Sequence, residues 1–379
     1  MNKFFGGYII KSDCEETNLN ELFMSILIAS FLGMLLSHNV SIYLTEPLMK
    51  DQSIFIGSRY TITADALNTI AEDDTVSVIA MGSSMTFKGV DGICIGDGLN
   101  NEVNVYNLAQ SASKPYTDML HIPRIIMSNP EIVLIEISPD IIRTPTGENS
   151  YLQIRYTLDS MLQDNADLGE WVDLIPSEYR HWIAKNDLER MEFRQEYVPE
   201  AIEEHLNRLI LEEDNGREDL MWGWVPDNKH PEWNEYIQTP IFPNDLYGLE
   251  GHDIDELTEY RETKLHVSPY ASPPASGTLS HLALEYEISS LIEAGIEVII
   301  TTPPYHPEHL KFLEDGQWDG LNETVSTFSQ YEGVTVFDQT WAEDIWIQDG
   351  FYDQNHLDGD GREKYCQLLI PTISEILNR

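Results

Sequence analysis

Five short runs of aliphatic and β-branched residues, each ending in or following a recognisable break, constrain this chain more than any other feature. TVSVIAM, Thr75 to Met81, ends in Gly82-Ser83-Ser84, and VNVYNLA, Val103 to Ala109, ends in Gln110-Ser111-Ala112-Ser113. EIVLIEI, Glu131 to Ile137, ends in Ser138-Pro139-Asp140; IEVIITT, Ile296 to Thr302, ends in Pro303-Pro304; VTVFD, Val334 to Asp338, follows a helical stretch. Runs that are apolar almost without alternation, and that leave room for a helix between them, are what parallel strands buried on both faces require. The expected fold class is therefore α/β with a doubly wound parallel sheet, whose site lies in the polar loops after the carboxyl ends of the strands.

The chain has 379 residues, room for one large α/β domain with an insertion or for two ordinary ones, and 42% hydrophobic residues suffice for a packed core. Between Ile141 and Gly277 the strand rhythm breaks. This stretch holds Trp171, Trp182, Trp222, Trp224 and Trp233, many acids, and the Pro/Ser-rich passage HVSPYASPPASG. It reads as an acidic helical insertion or cap over the carboxyl edge, its tryptophans either core or a platform for stacking carbohydrate. The expected division is 1–21, 22–44, 45–140, 141–277 and 278–379.

Asp and Glu number 65 against 22 Lys and Arg, a formal net charge of -43 scattered along the chain. No basic stripe exists to neutralise phosphates, so nucleic acid is not an expected partner. The excess fits a protein that stays soluble in concentrated salt, where self-repulsion is screened. Cys14, Cys94 and Cys366 are odd in number and widely spaced, giving neither a disulfide framework nor a zinc spacing. There is no Walker-type loop and no dinucleotide fingerprint, so no cofactor and no metal are expected.

Leu22 to Leu44 is an uncharged, largely apolar stretch of 23 residues, long enough to cross a bilayer as a helix. A cleaved signal peptide or a buried helix are the alternatives. Met1 to Glu21 carries two lysines against four acids, which suits a signal peptide poorly and leaves orientation weakly determined. The expectation is a single-pass membrane anchor with the large carboxy-terminal part outside the cell, where Asn322-Glu323-Thr324 is a glycosylation acceptor or a chance match.

Ser84, in MGSSMT, sits where the first strand turns into a helix. A serine needs a base, itself held by a third group. Asp353 and His356, in FYDQNHLDGDGREKY, can supply both, since three residues of separation lets a carboxylate steady the imidazole while its other nitrogen faces the serine. Tyr305 and His306, in Pro303-Pro304-Tyr305-His306-Pro307, line the same site or belong to a proline-stiffened loop. Asp358-Gly359-Asp360-Gly361 lacks a full calcium-loop pattern and reads as the cap of the final helix.

A strand ending in Gly-x-Ser, a second running into NLAQSAS, a third ending in EISPD and a carboxy-terminal DxxHL together resemble the four blocks of SGNH (GDSL-type) hydrolases and their membrane-anchored acyltransferase relatives. Those relatives include the enzymes of alginate O-acetylation and teichoic acid alanylation. The resemblance covers about 75–140 and 280–379. It implies a flavodoxin-like three-layer α/β/α sheet, with Ser84 as nucleophile, His356 as general base and Asp353 as its orienting partner. The implied oxyanion donors are the backbone N–H groups of Ser84 and of Ala112, the latter where the family has glycine. Asp140 stands where the family has an asparagine that donates to the oxyanion, and an ionised aspartate has no proton to give. Either Asp140 is protonated, or it contributes something else, or two donors suffice. The function so implied is a serine esterase or acyltransferase acting on a glycan or lipid-linked saccharide, with an unknown acyl donor. The alternatives are an inactive glycan-binding or assembly component and another glycan group transfer such as sulfation.

Overall fold

The structure, a computed structural model, describes residues 22–33, 63, 66–67, 70–72, 75–110, 113–143, 263–342, 344–346 and 350–379. The five apolar runs form five strands: β1 (Ser77–Met81), β2 (Asn104–Asn107), β3 (Ile132–Glu136), β4 (Glu297–Thr302) and β5 (Val334–Asp338). All pair in parallel, in the order β2-β1-β3-β4-β5. Chain order thus reverses beside β1, the switch point at which sheets of this kind bind their ligands.

The helices that flank these strands among the described residues include α1 (Ser84–Gly89), α2 (Gly92–Gly98), α3 (Pro115–Asp118), α4 (Ile122–Ser128), α5 (Leu279–Glu293), α6 (Pro307–Leu310), α7 (Asp319–Phe328) and α8 (Gly359–Leu377). They cover both faces of the sheet, because side chains alternate along each strand. Ile79, Met81, Val133, Ile135, Val298 and Ile300 pack with Ile122 and Ile125 of α4, Leu284, Ile288 and Leu291 of α5 and Phe328 of α7. Val78, Ala80, Val105, Leu134 and Ile299 pack on the other side with Ile95 of α2 and Tyr365, Leu369, Ile373 and Ile376 of α8. Burying each such aliphatic side chain contributes about 1.5–3 kcal/mol.

Cys94 of α2 and Cys366 of α8 form a disulfide across 272 residues of sequence. This corrects the expectation from spacing: the two cysteines share no local pattern, and they meet because α2 and α8 lie side by side on one face of the sheet. The final helix is capped as its sequence suggests, with the Asp358 side chain accepting from the N–H of Gly361 at 2.9 Å.

Residues 22–33 are helical and exposed, and among the described residues no helix is long and apolar enough to cross a membrane. The rest of the expected 22–44 span lies outside the described residues. So do the five tryptophans of the insertion and Cys14. Asn322 and Thr324 belong to α7, where Thr324 is buried and its hydroxyl donates to the carbonyl of Gly320, so this tripeptide is not presented as a surface loop.

Candidate active site

The first turn after β1 is shaped by glycine. Gly82 has φ +148°, and a Cβ there would lie 2.6 Å from Cβ of Glu136, so β1 and β3 approach too closely for any side chain. The chain then enters α1 with Ser83 as its N-cap and Ser84 as its first residue. The far end of α1 is held by Asn107, fully buried at the end of β2, whose side-chain amide donates to the carbonyls of Thr86, Phe87 and Val90 at 3.1, 3.0 and 2.8 Å. Ser84 is therefore presented at the carboxyl edge by a helix fixed at both termini.

The loop bearing Asp353 and His356 is closed by an antiparallel bridge between Phe351 and Leu357. Asp353 shapes the turn itself, its Oδ1 accepting from the N–H groups of Asn355 and His356 at 3.1 and 2.9 Å. The same carboxylate meets Nδ1 of His356 at 2.9 Å from Oδ1 and 2.8 Å from Oδ2. Nε2 of His356 lies 2.8 Å from Oγ of Ser84. With Nδ1–H donating to the carboxylate, Nε2 is left to accept the serine proton, the tautomer a general base needs. Burial alone would raise the pKa of Asp353, but the electrostatic pull of the neighbouring His356 ring and the hydrogen bonds from that ring and from the two N–H groups hold it below the usual value. Asp353 thus stays ionised behind the ring.

Close by on α1 lies Lys88, 5% exposed, its Nζ 5.9 Å from the ring centre of Tyr352. Burial lowers its pKa to about 6, against the opposing pull of Asp353, so at neutral pH the amine is mostly uncharged.

Of the expected oxyanion groups, Ser84 begins α1, where the backbone N–H has no partner within the helix ladder. Ala112 lies outside the described residues. Asp140 is half-exposed and paired with two cations, Lys114 at 3.4 Å and Arg143 at 3.5 Å, while Nζ of Lys114 also donates to the Asp140 carbonyl at 2.7 Å. At the edge of the sheet, then, Asp140 stands between two cations.

A cleft of about 500 Å3, including its open mouth, adjoins the triad through Asn355, the residue before His356. Asp140, Lys264, Tyr270, Tyr305 and Trp318 also line it. Arg143 stacks on Tyr270, its guanidinium 4.3 Å from the ring centre. Three lining residues carry buried polar atoms with no hydrogen-bond partner among the described residues: Nδ1 of His309, Oε1 of Gln354 and Oδ1 of Asn355. Tyr305 lines this cleft. His306 does not. It is 2% exposed, its Nδ1 accepts from the N–H of Glu308 at the start of α6, and its ring packs edge-on against Phe351. The correction has a physical cause: the proline-rich loop turns this imidazole inward, where it caps a helix and fills the core.

Two residues of the site escaped sequence reasoning. Lys114 sits just past the polar turn after β2, and its signal was a cation in a chain that has few. Glu136 is 1% exposed at the end of β3, and its signal was an acid inside an otherwise apolar run. No protein-family model matches this chain, and no curated protein matches it in sequence.

Proposed function

We propose that this chain is a serine acyltransferase or esterase of SGNH type that works through an acyl-enzyme on Ser84. The observation that carries the reading is the unbroken relay from Ser84 Oγ through His356 to Asp353, with both contacts at 2.8 Å, at the carboxyl edge of a parallel sheet. The strand order β2-β1-β3-β4-β5 supports it, since that is the order of flavodoxin-like sheets, which bind at the switch point beside β1.

In this mechanism Ser84 Oγ attacks the acyl carbonyl of the donor as Nε2 of His356 takes its proton. The negative charge passes to the carbonyl oxygen and is met by the Ser84 N–H and, by the resemblance, that of Ala112. When the carbon–oxygen bond to the leaving alcohol breaks, His356 returns the proton to that alcohol and the acyl group remains on Ser84. An acceptor hydroxyl then enters, loses its proton to His356 and attacks the acyl-serine; collapse restores Ser84 with the proton from His356. Water in place of the acceptor gives hydrolysis.

The acceptor assigned here is a glycan or lipid-linked saccharide at the cell surface. Aromatic rings beside unpartnered polar atoms in the cleft suit a ligand with apolar faces and hydroxyl groups. The anchor at 22–44 and an extracytoplasmic catalytic part belong to the same proposal, and the Cys94–Cys366 disulfide supports it because such bonds persist in oxidising compartments.

The test is covalent labelling by a fluorophosphonate in concentrated salt, comparing the native chain with Ser84→Ala. Labelling of the native chain alone is the expected result. Equal labelling of both, or none of either, would move the assignment to a glycan-binding component without catalysis.

A further inference from the structure

The relay accounts for Asp353, yet the carboxyl group most heavily hydrogen-bonded around the Ser84 turn is a different one. Glu136 Oε2 accepts from the N–H of Ser83 at 2.8 Å, from the N–H of Thr86 at 3.3 Å and from the Thr86 hydroxyl at 2.7 Å. Its Oε1 lies 2.9 Å from the hydroxyls of both Ser83 and Ser138. Residues 83 and 86 bracket Ser84, so one side chain grips the backbone on either side of the nucleophile.

The grip is rigid for a reason of topology. Glu136 is the last residue of β3, and β3 pairs along its length with β1, Met81 opposite Ile135. The turn is thus tied to the strand beside the one it leaves. A buried carboxyl group costs several kcal/mol unless its oxygens are satisfied, and here five donor groups satisfy them. The closeness of Gly82 to Glu136 belongs to the same arrangement, since any side chain at 82 would push the carboxyl group off the turn.

We infer that Glu136 is a positioning residue, whose acceptance of the Ser83 and Thr86 donors holds Ser84 Oγ within reach of Nε2 of His356. The inference rests on Ser84 being the nucleophile. It makes the grip a matter of hydrogen-bond acceptance, because the two backbone N–H groups converge on a single oxygen, Oε2. Glutamine can keep that oxygen while turning its amide toward hydroxyls that rotate to accept. Methionine, of similar length, offers no such acceptor.

The experiment measures the maximal inactivation rate and the half-saturating concentration for fluorophosphonate labelling of the full chain in concentrated salt. Glu136→Met and Thr86→Val are expected to lower the rate by about 10- to 100-fold, the scale of a small misplacement of a reacting group. The half-saturating concentration should be unchanged, and Glu136→Gln and Thr86→Ser should restore most of the rate. Folded Met and Val variants that label at the native rate would overturn the inference, as would an equal loss in the Gln and Met variants. Should Glu136→Met fail to fold, Thr86→Val decides the matter, because it removes one hydroxyl and leaves the carboxyl group in place. Crystal structures separate this question from the mechanism. If the native chain is not labelled at all, the acyl-enzyme proposal falls. The inference still stands or falls on whether Ser84 Oγ leaves hydrogen-bonding distance of His356 in Thr86→Val.

Discussion

Asp353 and Asp140 are both carboxylates at the carboxyl edge of the sheet, and their surroundings give them opposite characters. The Asp353 side chain is 6% exposed and spends its oxygens on one imidazole ring and two backbone N–H groups, all within 3.1 Å. The Asp140 side chain is 36% exposed and divides itself between two long cationic side chains at 3.4 and 3.5 Å. Burial makes the first arrangement directional, since a desolvated charge is stable only with its partners in place. Exposure makes the second adjustable, since water can replace either cation at little cost.

The largest effect expected from this contrast is at Asp353. Asp353→Asn should leave the fold intact and lower the labelling rate by about 10,000-fold, because an amide favours the wrong imidazole tautomer. Labelling kinetics in concentrated salt check it, and a loss below about tenfold would erase the distinction between the two aspartates. The same carboxylate gives a pH prediction. Its folded-state pKa is depressed, so its stabilising contribution is present above the ordinary value of 3.8 and is lost as pH falls through the lower folded value. Acid unfolding of Asp353→Asn, followed by circular dichroism, should lack that component.

Next in size is the disulfide that fixes α8, the helix entered from the Asp353 loop, against α2. Cys94→Ser with Cys366→Ser should cost about 2–5 kcal/mol, read as a lower denaturant midpoint for the native chain under reducing conditions as well. Asp118 extends the comparison to a fully buried acid that has no salt bridge among the described residues. Burial raises its pKa to about 8, with the Ser113 hydrogen bond opposing, the Glu136 charge adding to the rise and the Lys114 charge opposing it. A raised acid contributes stability that is full below its unfolded pKa, near 3.8, and is lost as pH climbs through about 8. Asp118→Asn should therefore flatten the decline of stability between these values, a change on the order of a few kcal/mol seen in denaturant titrations across pH. The smallest effect is expected at Asp140. Asp140→Asn should change stability by about 0–1 kcal/mol and the labelling rate by less than about tenfold; a loss as large as that at Asp353 would mean that the Lys114 pair acts in the chemistry.

The legible parts of this molecule were those with local causes. β5 matches its sequence run residue for residue, and the other strands lie inside theirs, because unbroken apolar character over a few residues suffices to mark a buried strand. The Asp353–His356 pair was legible because its turn is closed by its own side chain. His306 was left undecided because two readings of a proline-rich loop look alike in one dimension and differ only in which way the imidazole turns.

By itself, then, the sequence determined where the strands lie, which helix is last and how it is capped, and that a carboxylate three residues from a histidine can steady it. Tertiary structure alone decided that Cys94 meets Cys366, that Glu136 grips the Ser84 turn from 53 residues away, and that Asp140 is spent on Lys114 and Arg143. The division follows from range. Burial periodicity and turn closure are settled among chain neighbours, whereas contacts across a sheet depend on strand order and helix placement, which no short stretch of residues encodes.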